Sequence, residues 1–337
     1  MENRRLFLKR LGQAAVLAAT GRCLGGTAGS VASSPTATLP ALTTIPSGGP
    51  IPESAKSIVI DDRNPMILAG SKIHETVLLE MIETAVRLAT GQDSAANAWR
   101  ALLKPQDVIG IKFDEMGYEK LNITNVFAEQ LVGALERAGH KRERIVLIDV
   151  PESLARSLKT QPRAWGWQKD ETAFAGGSER LARVLEQVTA LINVPFLKTD
   201  NLSGIAGALR NISLPFIRRQ SRYFANGCSP SIADIAALPP IRSKLRVHIV
   251  NGLRALFDRG PEVHNEHVWP HAGILASTDP VAVDSVSLDI INTKRTSAGL
   301  PGIGDSKGRL PHIHTAAQRG LGTDDQDYIR ILSPHNS

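Results

Sequence analysis

The chain alternates short, continuous apolar runs with longer segments in which apolar positions recur every three or four residues. Continuous runs rich in β-branched residues are typical of strands that are buried on both faces. Six runs predict strands: Ser57–Ile60, Asp107–Phe113, Arg144–Val150, Ala190–Val194, Leu245–Val250 and Gly273–Ser277.

Between these runs lie segments with helical periodicity. His74–Thr90 and Thr124–Ala138 each carry an apolar stripe at i, i+3 and i+4 spacing. Thr124 or Asn125 is expected to cap the second helix, and Gly139 to follow its end. Further helices are predicted at Ser178–Gln187, Pro280–Ile291 and Ile313–Arg319. The alternation of strand and helix predicts an α/β fold, with layered helices around a largely parallel or mixed β-sheet.

The first 55 residues do not follow this pattern. Arg4-Arg5-Leu6-Phe7-Leu8-Lys9 precedes a short, weakly apolar stretch that ends in small residues near Ala32. Such a segment is typical of a twin-arginine signal peptide, and the alternative is an amphipathic basic first helix. We therefore expect a signal over residues 1–32, a Pro/Ser/Thr-rich linker over 33–55 and one α/β domain over 56–333. The expected partner is the twin-arginine translocase and the expected location the periplasm, with no stable membrane span after cleavage.

Composition and charge narrow the class of protein. With 42% hydrophobic and 21% charged residues, the 337-residue chain is neither a disordered protein nor a multi-span membrane protein. Its net charge of +6 suggests nucleic acid, but residues 1–32 hold five basic residues and one acidic residue. The remaining chain is nearly neutral and has no basic helix or aromatic stacking platform, so we expect no nucleic-acid partner. Cys228 is the one cysteine after residue 32, which excludes an iron–sulfur cluster held by this chain alone.

Polar residues follow the predicted strands at the ends where α/β folds bind ligands. They are Lys112, Asp114, Asp149, Lys198, Asp200, Asn251, Asp279 and Asp284. Asp279 precedes Pro280 and is chiefly expected to cap a helix. Lys198 precedes a run of small residues that leads to Arg210 and Asn211, and two interpretations of this run stay open. It is either an anion cradle at a helix N-terminus or a helix start with close glycine packing.

A cluster of histidines lies in a predicted loop. His264, His267 and His271 fall within eight residues, and Pro270 prevents the last two from sharing a helical turn. Neutral imidazole is the commonest nitrogen ligand of metals, so a metal ion is a possible cofactor here. The alternative, a polar surface loop, is favoured. His312-x-His314 is a weaker signal of the same kind.

Several segments, taken in order, resemble the domain-of-unknown-function 362 (DUF362) family. They are Val108–Lys112, Leu191–Lys198, Gly207–Asn211, Ile232–Ile235, Val250–Leu253, Ile274–Asp284 and Ala316–Gly322. The resemblance spans roughly residues 56–332, and Asp279–Asp284 is its most specific part. It implies an α/β fold and no settled activity. Some relatives carry ferredoxin-type modules, which this chain lacks, and a remote likeness to nickel-pincer racemases is an analogy of fold.

The chain departs from the family pattern at four places. Lys112-Phe113-Asp114 stands where the family has Lys-Pro-Asn, and Lys198-Thr199-Asp200 where it has Lys-Thr-His. Arg210-Asn211 replaces Lys-Asn, and Asn251-Gly252 replaces Asp-Gly. Arginine distributes its charge differently from lysine, and asparagine lacks the acidic group of aspartate. We therefore expect the site at the same position as in the family, with different chemistry.

These observations support two functional hypotheses. The first is a redox- or isomerase-type enzyme that binds an anionic or metal-containing ligand at the strand ends, and the second a non-catalytic ligand- or partner-binding protein with a degenerate site. In the first, Lys112, Lys198 and Asp284 are catalytic, and the metal ligands are His264, His267 and His271. The ligand-binding residues are Asp114, Asp149, Asp200, Arg210, Asn211, Asp234 and Asn251.

Overall fold

The computed structural model of the chain describes residues 56–70, 72–121, 123–306 and 308–334. The predicted signal and linker, residues 1–55, lie outside the described residues. None of the described helices is both long and apolar enough to cross a membrane.

The described residues form an α/β fold around one large mixed sheet. Its strands are β1 (Ser57–Arg63), β4 (Ile109–Phe113), β5 (Ile145–Ile148), β8 (Ala190–Val194), β9 (Phe196–Asp200), β10 (Gly204–Ile205), β11 (Leu245–Leu256), β12 (Val268–Trp269), β13 (Gly273–Ser277) and β14 (Ile329–Leu332). Two small hairpins pair β2 (Leu68–Ala69) with β3 (Lys72–Ile73), and β6 (Thr172–Phe174) with β7 (Gly177–Glu179).

The main sheet has the order β14-β1-β13-β11-β8-β4-β5. β11, β8, β4 and β5 are mutually parallel neighbours, whereas β13 runs antiparallel to both β1 and β11. After Pro195 the chain continues from β8 into β9, which lies parallel to the second half of β11. The carboxyl ends of four parallel strands therefore meet at one edge, where a ligand site is expected in such a fold.

Helices cover both faces of the sheet. They are α1 (Glu75–Ala89), α2 (Ala95–Leu102), α3 (Tyr118–Leu121), α4 (Thr124–Arg137), α5 (Glu152–Ser157), α6 (Val184–Gln187), α7 (Ala208–Asn211), α8 (Ala225–Cys228), α9 (Ser231–Ala236), α10 (Pro239–Arg242), α11 (Pro280–Ser297) and α12 (Pro311–Gln318). One core joins a sheet face to α1, α2 and α4, and the other joins the opposite face to α6–α12. Because β-strand side chains alternate, neighbours such as Val59 and Ile60 enter different cores.

Most predicted elements are confirmed. Ala190–Val194 and Gly273–Ser277 are strands with the predicted bounds. In α1 the predicted stripe is buried against the sheet, with Leu78, Met81 and Ile82 fully covered. Asp279 caps α11 as expected, accepting the Val281 and Ala282 N–H groups at 2.8 and 2.9 Å.

Two local predictions are wrong. Ser178–Gln187 is not a helix, because its first residues pair in the hairpin β6–β7 and only Val184–Gln187 is helical. Gly177, at φ 147°, begins β7 and pairs with Phe174 across the two-residue turn Ala175-Gly176. Neither Thr124 nor Asn125 caps α4, whose N-cap is Ile123 without a side-chain hydrogen bond. Gly139, at φ 99°, does follow the end of α4.

Candidate functional site

A row of buried polar side chains crosses one face of the sheet. The strand register places Lys112 beside Asn193, Asn193 beside His248, and His248 beside Ser277. Each of these four residues is exposed by 1% or less. Residues directly opposite each other point to the same face, so the row lies in the layer that α7 and α11 cover.

Hydrogen bonds join this row to α7. Lys112 Nζ donates to Asn211 Oδ1 at 2.8 Å and to the Phe113 carbonyl at 2.7 Å. Asn211 Nδ2 donates to Asn193 Oδ1 at 2.7 Å, and Asn193 Nδ2 lies 2.9 Å from His248 Nδ1. Burial lowers the pKa of His248 to about 3, so the ring is neutral and Nδ1 accepts the amide proton. The direction of each hydrogen bond in the network, from Lys112 through Asn211 and Asn193 to His248, is therefore determined.

Lys112 is held at the strand end by a carboxylate. Asp149 Oδ2 lies 2.8 Å from Lys112 Nζ, and Asp149 Oδ1 lies 2.6 Å from Arg163 NH1. Burial raises the pKa of Asp149, but Lys112 and Arg163 outweigh burial and hold this pKa below its usual range. Arg163 also stacks on Trp165, with 4.3 Å from the guanidinium carbon to the ring centroid. The predicted ligand-binding residue Asp149 is therefore an ionised bridge between two cations.

Lys198 is completely enclosed at the same edge. Its ammonium group pairs with Asp114 Oδ2 at 2.7 Å and donates to the Met116 carbonyl, and its side chain is 0% exposed. Burial lowers the pKa of Lys198, while Asp114 acts in the opposite direction. A lysine whose protonated form is destabilised in this way is a stronger candidate for acid–base chemistry than one in water.

Arg210 and Asp200 form a second ion pair that leaves hydrogen-bonding capacity unused. Arg210 NH2 lies 3.0 Å from Asp200 Oδ2. Asp200 Oδ1 accepts the Leu202 and Ser203 N–H groups, whereas Asp200 Oδ2 and Arg210 Nε have no hydrogen bond among the described residues. The field of Arg210 also reaches Lys198, disfavouring its protonated form. The pair thus adjoins Lys198 and presents a partly unsatisfied guanidinium.

His312 adds two further unsatisfied atoms. It is fully buried, both ring nitrogens lack a hydrogen bond among the described residues, and burial lowers its pKa to about 3. The field of Arg210 contributes to this lowering. Because buried polar atoms are almost always hydrogen-bonded, unsatisfied atoms on His312 and Arg210 mark a place that could receive a polar group.

The predicted anion cradle before Arg210 is already filled by a carboxylate of the chain. Asp284 is fully buried and accepts the N–H groups of Ala208 and Leu209, the latter at 2.9 Å. A Cβ at Gly207 would overlap this carboxylate, which explains the glycine. Burial raises the pKa of Asp284 to about 7. Lys198 itself lies in β9, away from the start of a helix, so the glycine-packing interpretation describes this segment.

Two other predicted ligand-binding residues lie in structural contacts. Asp234 Oδ1 accepts Arg319 Nε at 2.8 Å, which ties α9 to the end of α12. Asn251 lies within β11, where its Oδ1 accepts the Leu253 N–H at 3.3 Å. No hydrogen bond joins either residue to the network around Lys112 in the part of the chain that the structure describes. Their assignment as ligand-binding residues stays a prediction.

The three histidines predicted as metal ligands do not converge. His267 lies 3.9 Å from Asp258, and His271 lies 4.0 Å from Asp61 with its pKa lowered by burial to about 4. His264 packs edge to face on His267, with 6.3 Å between the ring centroids. Among the described residues, no group of three His, Cys, Asp or Glu side chains is placed to hold a metal ion. This arrangement gives the predicted metal site no support.

Three residues of this network, Arg163, Asn193 and His248, are not among those predicted from the sequence. A signal for Asn193 and His248 was present, because each is a polar residue inside a short apolar strand and on the same face as its neighbour in the sheet. Arg163 carried no such signal, since it lies in a loop that is brought to Asp149 only by the fold.

The chemistry of this edge follows from its charges. Lys112, Lys198 and Arg210 are each matched by an aspartate, and the aspartates Asp114 and Asp149 are still 10% and 13% exposed. Buried, paired charges in a low dielectric are sensitive to any added charge or proton. The edge can therefore exchange one anionic partner for another and move protons between lysine and carboxylate.

Comparison with known proteins adds one finding. A family model described as "Domain of unknown function (DUF362)" matches residues 168–289. The matched part contains Lys198, Arg210 and Asp284, and it supports the resemblance drawn from the sequence. No curated protein is similar to the chain.

Proposed function

We propose that this chain, which carries a DUF362 segment, is an exported enzyme that moves protons on a small anionic substrate, an isomerase-type reaction. The observation that carries the proposal is Lys198: a wholly buried lysine with a lowered pKa, placed at the carboxyl ends of parallel strands beside the Arg210–Asp200 pair. Enzymes prepare lysine as a base by burial and by neighbouring cations, and both are present at this position.

Lys198 takes the role of acid–base group. In its neutral form the Nζ lone pair accepts a proton from a carbon next to the substrate carboxylate, and the electron pair left on carbon delocalises into that carboxylate. The ammonium group so formed is stabilised by Asp114 at 2.7 Å. Return of a proton to the opposite face of the carbon gives the isomer, whereas return to the original face regenerates the substrate with exchange of the proton, and neither route gains or loses an electron.

Arg210 takes the role of anion anchor. Among the described residues its buried Nε has no hydrogen bond, and 15% of the Arg210 side chain is exposed, which leaves an approach from solvent for a small carboxylate. Guanidinium groups bind carboxylates in a bidentate, oriented way. A carboxylate bound here would compete with Asp200 for Arg210 and bring the reacting carbon toward Lys198.

Lys112 and Asp284 support these two groups without touching the substrate. Asp284 holds the N-terminus of α7 through Ala208 and Leu209, and α7 carries Arg210. Lys112 binds Asn211 at the other end of α7. This assigns both residues, predicted as catalytic, to positioning Arg210.

Export is part of the proposal and rests on the twin-arginine pattern at Arg4 and Arg5. The mature enzyme would act in the periplasm on a substrate of the cell envelope. Cell fractionation is the check: wild-type chain is expected in the periplasmic fraction, whereas an Arg4→Lys/Arg5→Lys variant is expected to stay in the cytoplasm. Wild-type chain found only in the cytoplasm contradicts this part.

The test of the reaction is uptake of solvent deuterium. The chain from residue 33 is incubated in D₂O with a panel of 2-hydroxy and 2-amino carboxylates, and the α-carbon protons are followed by NMR. We expect deuterium at the α-carbon of at least one carboxylate, a rate about a hundredfold or more lower in Lys198→Met, and a raised KM in Arg210→Lys. Lys244→Met is the control, because this lysine precedes β11 at the amino ends of the parallel strands, opposite the site, and bonds the Leu185 carbonyl.

The outcomes separate the two hypotheses. Binding of a carboxylate without deuterium uptake, and with equal affinity for wild type and Lys198→Met, supports a non-catalytic binding protein. Neither binding nor uptake for the whole panel overturns the proposed reaction. Circular dichroism of each variant checks that loss of activity is not loss of the fold.

A further inference from the structure

A cavity that shares no residue with the Lys198 site lies between helices α11 and α12. It has a volume of about 550 Å³, and its walls come from α11, α12, residues 308–310 and residues 324–327. Its floor is apolar, with Leu288, Leu310 and Ile313 each exposed by 5% or less. Cavities of a few hundred Å³ with an apolar floor and a few polar groups are typical of small-molecule sites.

A histidine–aspartate pair forms one wall of this cavity. His314 Nδ1 lies 2.8 Å from Asp324 Oδ2, and Gln318 Nε2 lies 3.2 Å from His314 Nε2. The carboxylate accepts the Nδ1 proton, so the Nε2 lone pair is an acceptor, which the exposed Gln318 amide occupies and which a ligand ammonium group would take over. His314 also lines a second cavity of about 390 Å³, which shares Arg309 and Leu310 with the first.

The charge of the cavity is negative. Asp289, Asp325 and Asp327 line it, and no ion pair engages them among the described residues. One cation, Arg309, lines the cavity as well, and its charge is compensated by Asp305, whose carboxylate lies 3.1 Å from the Arg309 NH2 group. An apolar floor with unpaired carboxylates at the rim is complementary to a molecule with an alkyl body and a cationic end.

We propose that this cavity binds an organic cation, an alkyl amine whose ammonium group donates to His314 Nε2 and to the rim carboxylates. Its alkyl chain packs on Leu288, Leu310 and Ile313. The proposal does not depend on the reaction at Lys198, because it uses a different set of residues and a ligand of opposite charge.

The experiment titrates the full-length chain with 1,4-diaminobutane and follows the His314 ring resonances by NMR. We expect saturable shifts at His314, none with 1,4-butanediol or succinate, and binding that weakens as salt rises from about 0.01 to about 1 M. The isosteric double variant Asp289→Asn/Asp327→Asn should bind roughly threefold or more weakly. Asp93→Asn, an exposed aspartate outside the cavity, should bind like wild type.

Equal shifts with 1,4-butanediol would overturn the proposal, because the ammonium group would then contribute nothing. Shifts that persist unchanged in the double variant, or the absence of any shift at His314 with the diamine, would overturn it as well. His314→Asn keeps an amide N–H near the Nδ1 position, where it can still hold Asp324, and has no atom at the Nε2 position. Binding of 1,4-diaminobutane to this variant, measured by calorimetry, should weaken, and unchanged affinity would overturn the role of Nε2.

Discussion

At the scale of single residues, the site is built from charges that compensate one another. Lys112 and Lys198 are both buried, and each reaches a carboxylate oxygen within 2.8 Å. Removing one member of such a pair leaves an uncompensated buried charge, which costs about 3–5 kcal/mol. Isosteric changes that keep one hydrogen bond are therefore better probes of these pairs than alanine.

Gly207 tests the close approach of α7 to Asp284. Because a Cβ here would overlap the Asp284 carboxylate, Gly207→Ala should destabilise the fold by about 1–3 kcal/mol and weaken any function that depends on Arg210. Gly133→Ala is the matched control: Gly133 lies inside α4 with space for a methyl group, so alanine there should be neutral or stabilising by up to about 1 kcal/mol. Urea unfolding of both variants measures the difference, and equal stability of both would contradict the account.

At the scale of elements, hydrophobic periodicity predicts the sheet and the two long helices that cover it. Ala190–Val194 is a continuous apolar run and forms a strand with those bounds, and α1 follows its apolar stripe. β9 was missed, because Phe196–Asp200 ends in three buried polar residues, whose partners are Asp114, Gly260 and Arg210. A pattern along the chain does not report such partners, which lie far away in sequence.

The candidate site was predictable in place and less so in detail. Strand ends indicated Lys112, Asp149, Lys198 and Asp200, which the structure places at one edge of the sheet, because parallel strands bring their carboxyl ends together. Their roles in binding or catalysis stay a prediction. That the N–H groups of α7 bind Asp284 could not be predicted, since the contact joins residues 75 and 76 positions apart. The pairing of each cation of the site with an aspartate likewise depends on tertiary contacts between distant residues.

His248 connects the polar row to the pH dependence of stability. Burial places its folded-state pKa at about 3, below the ordinary 6.5, so the unfolded chain binds a proton that the folded chain does not. The contribution of the neutral His248 ring to the free energy of unfolding is complete above pH 6.5 and declines as the pH falls. From pH 6.5 to about 4.5 this one group should cost about 2–3 kcal/mol of unfolding free energy. The pKa values of His271 and His312 are also lowered by burial, so these residues too reduce the free energy of unfolding as the pH falls.

Denaturant unfolding at several pH values checks this. His248→Gln should flatten the decline between pH 6.5 and 4.5, even if it lowers stability at pH 7. Asp284 acts in the opposite direction, because its raised pKa, about 7, lets stability fall as the pH rises toward neutrality. An unchanged slope in His248→Gln would show that this ring is protonated within the fold.

At the scale of the whole molecule, the helix layer of α6–α12 contributes residues to both proposed sites. It supplies Arg210 and Asn211 to the strand ends through α7, and the wall of the acidic cavity through α11 and α12. The opposite layer of α1, α2 and α4 is mostly apolar packing on the sheet. The DUF362 match at residues 168–289 falls largely in the first layer and the strands beneath it. The two proposed sites thus share one layer and differ in charge.

The central claim is that Lys198 is a buried base, and its own titration tests this most directly. NMR of ¹³C-lysine-labelled chain from residue 33, with Lys198→Met to assign the signal, follows the Lys198 ¹³Cε shift against pH. The account predicts a midpoint clearly below the ordinary value of 10.5, because burial outweighs the ion pair with Asp114. A midpoint at or above 10.5 would contradict it and leave Lys198 as a permanently charged structural ion.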